Sequence, residues 1–199
     1  MVREINYSEV FDSQKIFRKI LDSMARPGKI NNLVEVRITP PLQLNTSSAL
    51  IGFALLNPDV SFYSVNNQDE VNEYLKVNTS STPALSINDA DFVFIHGNAM
   101  DEIIGSIKKG ELEYPEDNAT LIIDVEKIET LPTDQSCQLI LRGPGVKSEE
   151  IIYIKGIANE ILAEIKNANN EYPLGIDVIL SDKEGNIICI PRTNNFSWN

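Results

Sequence analysis

The stretch "DFVFIHG" (residues 91–97) places the strongest constraint on what this chain can become. Successive side chains of a strand point to opposite faces, and here both faces are apolar. Such a strand must be covered on two sides, as happens inside an α/β sheet. The flanking sequence supplies the cover. Ser8 is placed to cap a helix that carries Val10, Phe11, Gln14, Phe17, Ile20, Leu21 and Met24 at close to helical spacing, and Pro27-Gly28 stops it. Residues 46–56 predict a mostly apolar helix, ended by Asn57-Pro58. Residues 67–77 predict a short helix with a cap at Asn67 and Val71, Tyr74 and Leu75 on one face. Residues 98–110 predict a helix closed by Gly110. Residues 156–170 predict an amphipathic one, with Ile157, Ile161, Leu162 and Ile165 inward.

Strands are predicted at 30–38, 60–65, 91–97 and 120–125, then in "SCQLILRGPG" (136–145) and "EEIIYIKG" (149–156), with a turn-rich loop over 78–90. Helix and strand alternate in the first half, and strands follow one another in the second. That order predicts one α/β domain over 1–199, built on a mixed sheet with helices on both faces.

Bulk properties remove several functions. The net charge of −12 argues against nucleic acid, because phosphate backbones are bound by a basic stripe. The 17 basic residues are scattered and give no patch for an anionic membrane surface. The N-terminal residues lack an apolar signal core and no apolar run reaches the ~20 residues of a membrane span, so the expected compartment is the cytoplasm. Cys137 and Cys189 sit in apolar strand-like segments, as small buried thiols do, and form no disulfide framework or metal spacing. No metal site is expected.

"LRGPGVKSEE" (141–150) follows a strand as a phosphate loop would, but Val146 stands where a P-loop needs glycine, and Pro144 removes an amide. Gly143 and Gly145 instead predict a tight turn. His96, the only histidine, ends a strand, where α/β sites gather, yet no nucleophile accompanies it. Arg26 follows the first helix, and Arg18 lies eight residues earlier, within about 80° around the helix, so the two could face one ligand.

"YPLGIDVILSDKEGNIICIPRT" (172–193) reads as a hairpin turning at Asp182 and Gly185. It places a charge, Asp177, inside an apolar run and ends in Pro191-Arg192. A four-residue loop would set Asp177 opposite Arg192; a three-residue loop would set it opposite Pro191 and turn Arg192 to the other face.

These stretches occur together in one family. "FRKILDSMARPGKI" (17–30), "YPEDNATLII" (114–123), "LRGPGV" (141–146), "YPLGIDVIL" (172–180) and "ICIPRT" (188–193) resemble, in order, signatures of the PhnH subunit family of the bacterial carbon–phosphorus lyase system. Tyr172, Ile190 and Asn194-Asn195 are mild departures. The resemblance implies a three-layer αβα sandwich with a mixed sheet, distantly like PLP-dependent transferases but without their cofactor lysine, and no cofactor. It implies a homodimer that assembles with the G, I and J subunits. With G and I, the family is required to join an alkylphosphonate to the ribose of a nucleoside triphosphate, giving a ribose 1-phosphonate 5-triphosphate and releasing the base. The residues marked for binding or interface contact are Arg18, Arg26, Arg142, Gly143, Gly145, Asp177 and Arg192. Two alternatives stay open: a homodimeric nucleotide- or phosphonate-binding protein, and a free-standing enzyme using His96 with Arg142 or Arg192.

Overall fold

The computed structural model describes residues 3–65, 69–99 and 103–199. Helix α1 (Phe11–Ala25) begins after a turn in which Ser8 Oγ accepts from the Phe11 N–H and Asp12 accepts from the Ser8 N–H. The serine therefore works as a cap, three residues ahead of the regular helix. Strand β1 (Asn31–Asn32) is all that forms of the strand predicted over 30–38. Helix α2 (Thr46–Leu55), strand β2 (Ser61–Ser64) and helix α3 (Asp69–Thr79) follow, and the predicted cap at Asn67 lies outside the described residues. Strands β3 (Thr82–Pro83), β4 (Phe92–His96), β5 (Thr120–Asp124), β6 (Lys127–Glu129), β7 (Cys137–Arg142) and β8 (Glu150–Lys155) come next. Helix α4 (Asn159–Ala168) and strands β9 (Asp177–Ser181), β10 (Asn186–Ile190) and β11 (Asn195–Trp198) close the chain.

The helix predicted over 98–110 is not seen in the part that is described: only a 3₁₀ turn forms, at Ile104–Ser106. Gly105 weakens a helix there by about 1 kcal/mol. The Ile104 N–H is taken by the Glu164 carboxylate at 3.1 Å, and Lys109 bridges Asn118 in strand fashion. Tertiary partners have claimed the backbone groups a helix would use.

The strands divide between two sheets, where the sequence predicted one. The larger runs β1-β10-β9-β5-β4-β2-β3; its five strands from β9 to β3 are parallel, and β10 and β1 extend it antiparallel. The smaller, β11-β7-β8-β6, is antiparallel throughout. Two apolar cores divide at the large sheet. Ile122, Phe94 and Ile179 share one core with Ile16 and Ile20 of α1, Leu50 of α2 and Leu75 of α3. Leu121, Ile123, Val93 and Leu180 share the other with Leu139 and Ile152 of the small sheet and Leu162 and Ile165 of α4. Large sheet residues two apart therefore enter the same core, as a strand's period requires.

Connections leave β2 and β4 toward opposite faces. After β2 the chain enters α3, whose Val71 and Leu75 join the first core; after β4 it reaches Ile104 and Ile107, which join the second. The carboxyl ends of these neighbouring strands thus flank a topological switch point.

The hairpin adopts the three-residue loop. Ile187 pairs with Ser181 and Ile190 with Val178, and the Asp182 N–H donates to the Asn186 carbonyl at 3.0 Å. Extending this register sets Asp177 against Pro191, so no Asp177–Arg192 side-chain pair forms. Asp177 accepts instead from the backbone N–H of Arg192 at 2.9 Å and from the Asn118 amide at 3.1 Å. The Arg192 guanidinium donates to the Pro115 carbonyl. Three of the sequence signatures meet in this clasp at the amino ends of β5 and β9. Removing the Asp177 carboxylate strands a backbone N–H, and Asp177→Ala is expected to lower unfolding stability by about 1–3 kcal/mol. Arg192→Ala, which leaves that bond intact, should lower it by about 1 kcal/mol or less. Urea unfolding of both variants checks the order; a larger loss in Arg192→Ala would assign the clasp to the guanidinium.

Candidate functional site

Register lines up three polar side chains across the carboxyl ends of the parallel strands. His96 of β4 pairs with Asp124 of β5, and Asp124 with Ser181 of β9. Two positions earlier in each strand are Phe94, Ile122 and Ile179, which face the helical core, so the polar row faces the same side. There it meets the start of α2. Asn45, at the helix N-cap, donates its backbone N–H to Asp124 Oδ2 at 2.9 Å. Ser48, one turn on, donates to Asp124 Oδ1, as does Ser181 at 3.0 Å. The two serine oxygens lie 2.6 Å apart.

Asp124, Ser48 and Ser181 are all buried, and burial pushes the Asp124 carboxyl above its ordinary range. Hydrogen bonds from Ser48, Asn45 and Ser181, together with the nearby His96, oppose the shift without cancelling it. The geometry agrees. Ser48 Oγ, Ser181 Oγ and Asp124 Oδ1 form a triangle of close contacts, but two hydroxyls bring only two protons to its three edges.

Around this cluster lies a crevice with two lobes. One, about 200 Å³, is lined by Leu44, Val65, Val71 and Phe94 and rimmed by Gln43, His96, Asn98 and Asp124. The other, about 260 Å³, shares His96, Asn98 and Asp124 and adds Asn45, Glu126 and Lys183. Its floor needs Gly97, because a Cβ there would sit 2.1 Å from the Gly156 carbonyl oxygen.

The residues marked from sequence fall elsewhere, apart from His96. Arg26 and Gly145 line a separate cavity of about 490 Å³ with Gly28, Lys29, Lys147 and Glu150. Gly143 and Gly145 turn there with φ of 131° and 81°. A Cβ on Gly145 would meet the Ala25 carbonyl oxygen at 2.4 Å, so the turn packs directly on the exit of α1. Asn194 holds it from the other side, donating to the Pro144 carbonyl at 3.0 Å. Arg142 pairs with Glu149 at 2.7 Å and Arg26 with Asp22. Arg18 stands exposed on α1, and Asp177 and Arg192 belong to the clasp at the opposite ends of the parallel strands. Among the described residues, no group of three or more His, Cys, Asp or Glu side chains is placed to hold a metal ion, and no helix is long and apolar enough to cross a membrane.

Asn45, Ser48, Asp124 and Ser181 were missed. The signal was present: Asp124 ends the apolar run "TLIID" just as Asp177 interrupts one, and two serines open an otherwise apolar helix. For an acid raised by folding, the native state binds more protons than the unfolded chain, so its contribution falls as pH climbs from the ordinary carboxyl range near 4 through the folded value. Asp124→Asn mimics the protonated acid, with its amide facing the serines. Its melting temperature relative to the parent is expected to rise as pH climbs above the ordinary carboxyl range near 4. A difference that stays flat above that range would show that folding does not raise the Asp124 carboxyl.

A protein-family model described as "Bacterial phosphonate metabolism protein (PhnH)" matches residues 6–197. The chain is 28% identical over 187 residues to the alpha-D-ribose 1-methylphosphonate 5-triphosphate synthase subunit PhnH of Rhizobium meliloti (strain 1021), with 92% of this chain and 90% of that one covered. It is 25% identical over 184 residues to HtxG of Stutzerimonas stutzeri, named as a candidate C-P lyase subunit protein, with 92% and 85% covered. The family match takes in both sheets and helices α1–α4, and the chain belongs to the PhnH family of bacterial phosphonate metabolism proteins.

Proposed function

We propose that this chain is a subunit of the carbon–phosphorus lyase machinery, required with the G and I subunits to make a ribose 1-phosphonate 5-triphosphate. In that reaction an alkylphosphonate oxygen bonds to C1′ of a nucleoside triphosphate. The C1′–N bond to the base breaks, and its electron pair leaves with the base. The observation that carries this reading is the near end-to-end similarity to a relative named as a subunit of such a synthase. The coverage leaves no large part of either chain unmatched, so the comparison concerns the whole subunit. The J subunit, a homodimeric association and a cytoplasmic setting, where nucleoside triphosphates are found, belong to the same reading. So does a three-layer arrangement of α1–α3, the large sheet, and α4 with the small sheet.

Adenine release from ATP and methylphosphonate, by purified G and I subunits with and without this chain, tests the proposal. Release should depend on the chain; equal release without it overturns the assignment.

The corner built by Arg26, Arg142 and the Gly143–Gly145 turn is our proposed contact for the partner subunits. It gathers Arg26 and Lys29 from the exit of α1, Arg142 from the end of β7 and Lys147 around one turn, the first three paired with Asp22 and Glu149, and exposed charge governs encounter more than folding stability. Arg18, exposed on α1, is proposed as a further contact. Arg142→Glu is expected to weaken co-purification with the G and I subunits about tenfold while leaving the melting temperature within a degree or two. Undiminished co-purification would move the interface away from this corner.

A further inference from the structure

We propose that the crevice at the carboxyl ends of β2, β4 and β5 binds a purine base, the uncharged end of a nucleotide, and leaves the phosphates outside. Its position comes from topology. It opens where the connections after β2 and β4 part to opposite faces, and open α/β sheets bind ligands at such a point. Taken together the two lobes fall in the range of roughly 300–1,000 Å³ of small-molecule sites.

The ligand class comes from the walls. Leu44, Val65, Val71 and Phe94 give one lobe an apolar lining suited to a flat ring. Asn98 and Gln43 at its rim each offer a carbonyl acceptor beside an amide N–H donor, the pairing that reads the amine and N7 edge of adenine. Asp124 borders both lobes, and its carboxyl has about four acceptor positions, of which Asn45, Ser48 and Ser181 fill three. A ring or amino N–H of the ligand can take the fourth.

Electrostatics argues against phosphate at the same place. A helix N-terminus at the carboxyl edge of a sheet is the usual anion site, but the backbone N–H of Asn45 at the head of α2 already serves Asp124. Glu126 adds a second carboxylate to the polar lobe, against which stand only Lys183 and His96 among the lining residues. A triphosphate would meet acidic groups here, and an uncharged heterocycle would not.

The proposal takes from the preceding reading only that a nucleotide is involved, and its test uses this chain alone. Calorimetric titration with adenine, adenosine, ATP and inorganic tripolyphosphate should show adenosine and ATP binding with similar affinity, adenine binding measurably, and tripolyphosphate not at all. Asn98→Asp, an exposed rim change, and Ala99→Phe, which fills the apolar lobe, should each weaken ATP binding about tenfold. Both variants should keep the parental melting temperature; should Ala99→Phe fold poorly, Asn98→Asp still decides. Silence toward all four ligands at millimolar concentration overturns the inference, as does binding shared by ATP and tripolyphosphate but not adenosine. Base release that needs the chain, coupled with such silence, would sink this inference and spare the complex reading. Adenosine binding by a chain that base release does not require would do the reverse.

Discussion

Strand β5 has no side open to water, and much of the molecule is arranged to keep it so. Its neighbours in the sheet are β4 and β9, and Leu121, Ile122, Ile123 and Asp124 are all buried. Covering each large apolar side chain contributes about 1.5–3 kcal/mol, so both faces reward a packing layer. The helices α1–α3 supply one, and α4 with the small sheet supplies the other. The period of two then sends Leu121 and Ile123 into one core and Ile122 and Asp124 into the other. A carboxyl group is thereby forced into the helical core, where leaving it unpartnered would cost several kcal/mol. The head of α2 and two serines meet that need, so the polar cluster follows from the pleat of a doubly covered strand.

The two ends of the parallel strands use acidic side chains differently. At the amino ends, Asp177 binds a backbone N–H and an amide, and fixes how the chain leaves β10. At the other end of the hairpin, Asp182 is buried and accepts from the N–H groups of Ile128, Glu184 and Asn186 and from the Asn186 amide. Both are fastenings between segments distant in sequence. Asp124 differs because it borders open space while its oxygens are held by short, crowded contacts. A carboxyl group in that situation keeps chemical freedom that a fastening lacks, and burial raises its proton affinity.

Most elements were legible because their apolar periodicity is strong. The patterns of α2 and α4 survive in their buried faces, whereas α1 forms where its spacing placed it but buries Ile16, Ile20 and Ser23 and leaves Val10, Phe11, Phe17 and Leu21 exposed; β4, β5 and the hairpin appear where alternation or doubly apolar runs placed them. Division into two sheets was not legible, since an apolar strand looks the same in either. Strands β3, β6 and β11 are two to four residues long, too short to show a period. The segment around Ile104 and Ile107 has helical spacing but spends it on a 3₁₀ turn, because Glu164 competes for the backbone. The crevice depends on register, which aligns His96, Asp124 and Ser181 although 28 and 57 residues separate successive members along the chain. Sequence shows each as a polar residue closing an apolar run; only pairing makes them a row.

Under the proposed function, the acidity of the chain bears on the division of labour in a synthase that handles a triphosphate and a phosphonate. At −12, the molecule repels polyanions over any distance at which screening is incomplete, about 10 Å at moderate salt. Several of its cations are committed locally, Arg26 and Lys29 to Asp22, Arg142 to Glu149 and Lys108 to Asp91. A site within this chain is therefore better matched to the uncharged portion of such substrates, and the phosphates are better met by cations from another subunit. On the proposed reading the chain's acidity would confer orientation: it would disfavour a nucleotide presented phosphate first and leave the base as the end that can approach the crevice.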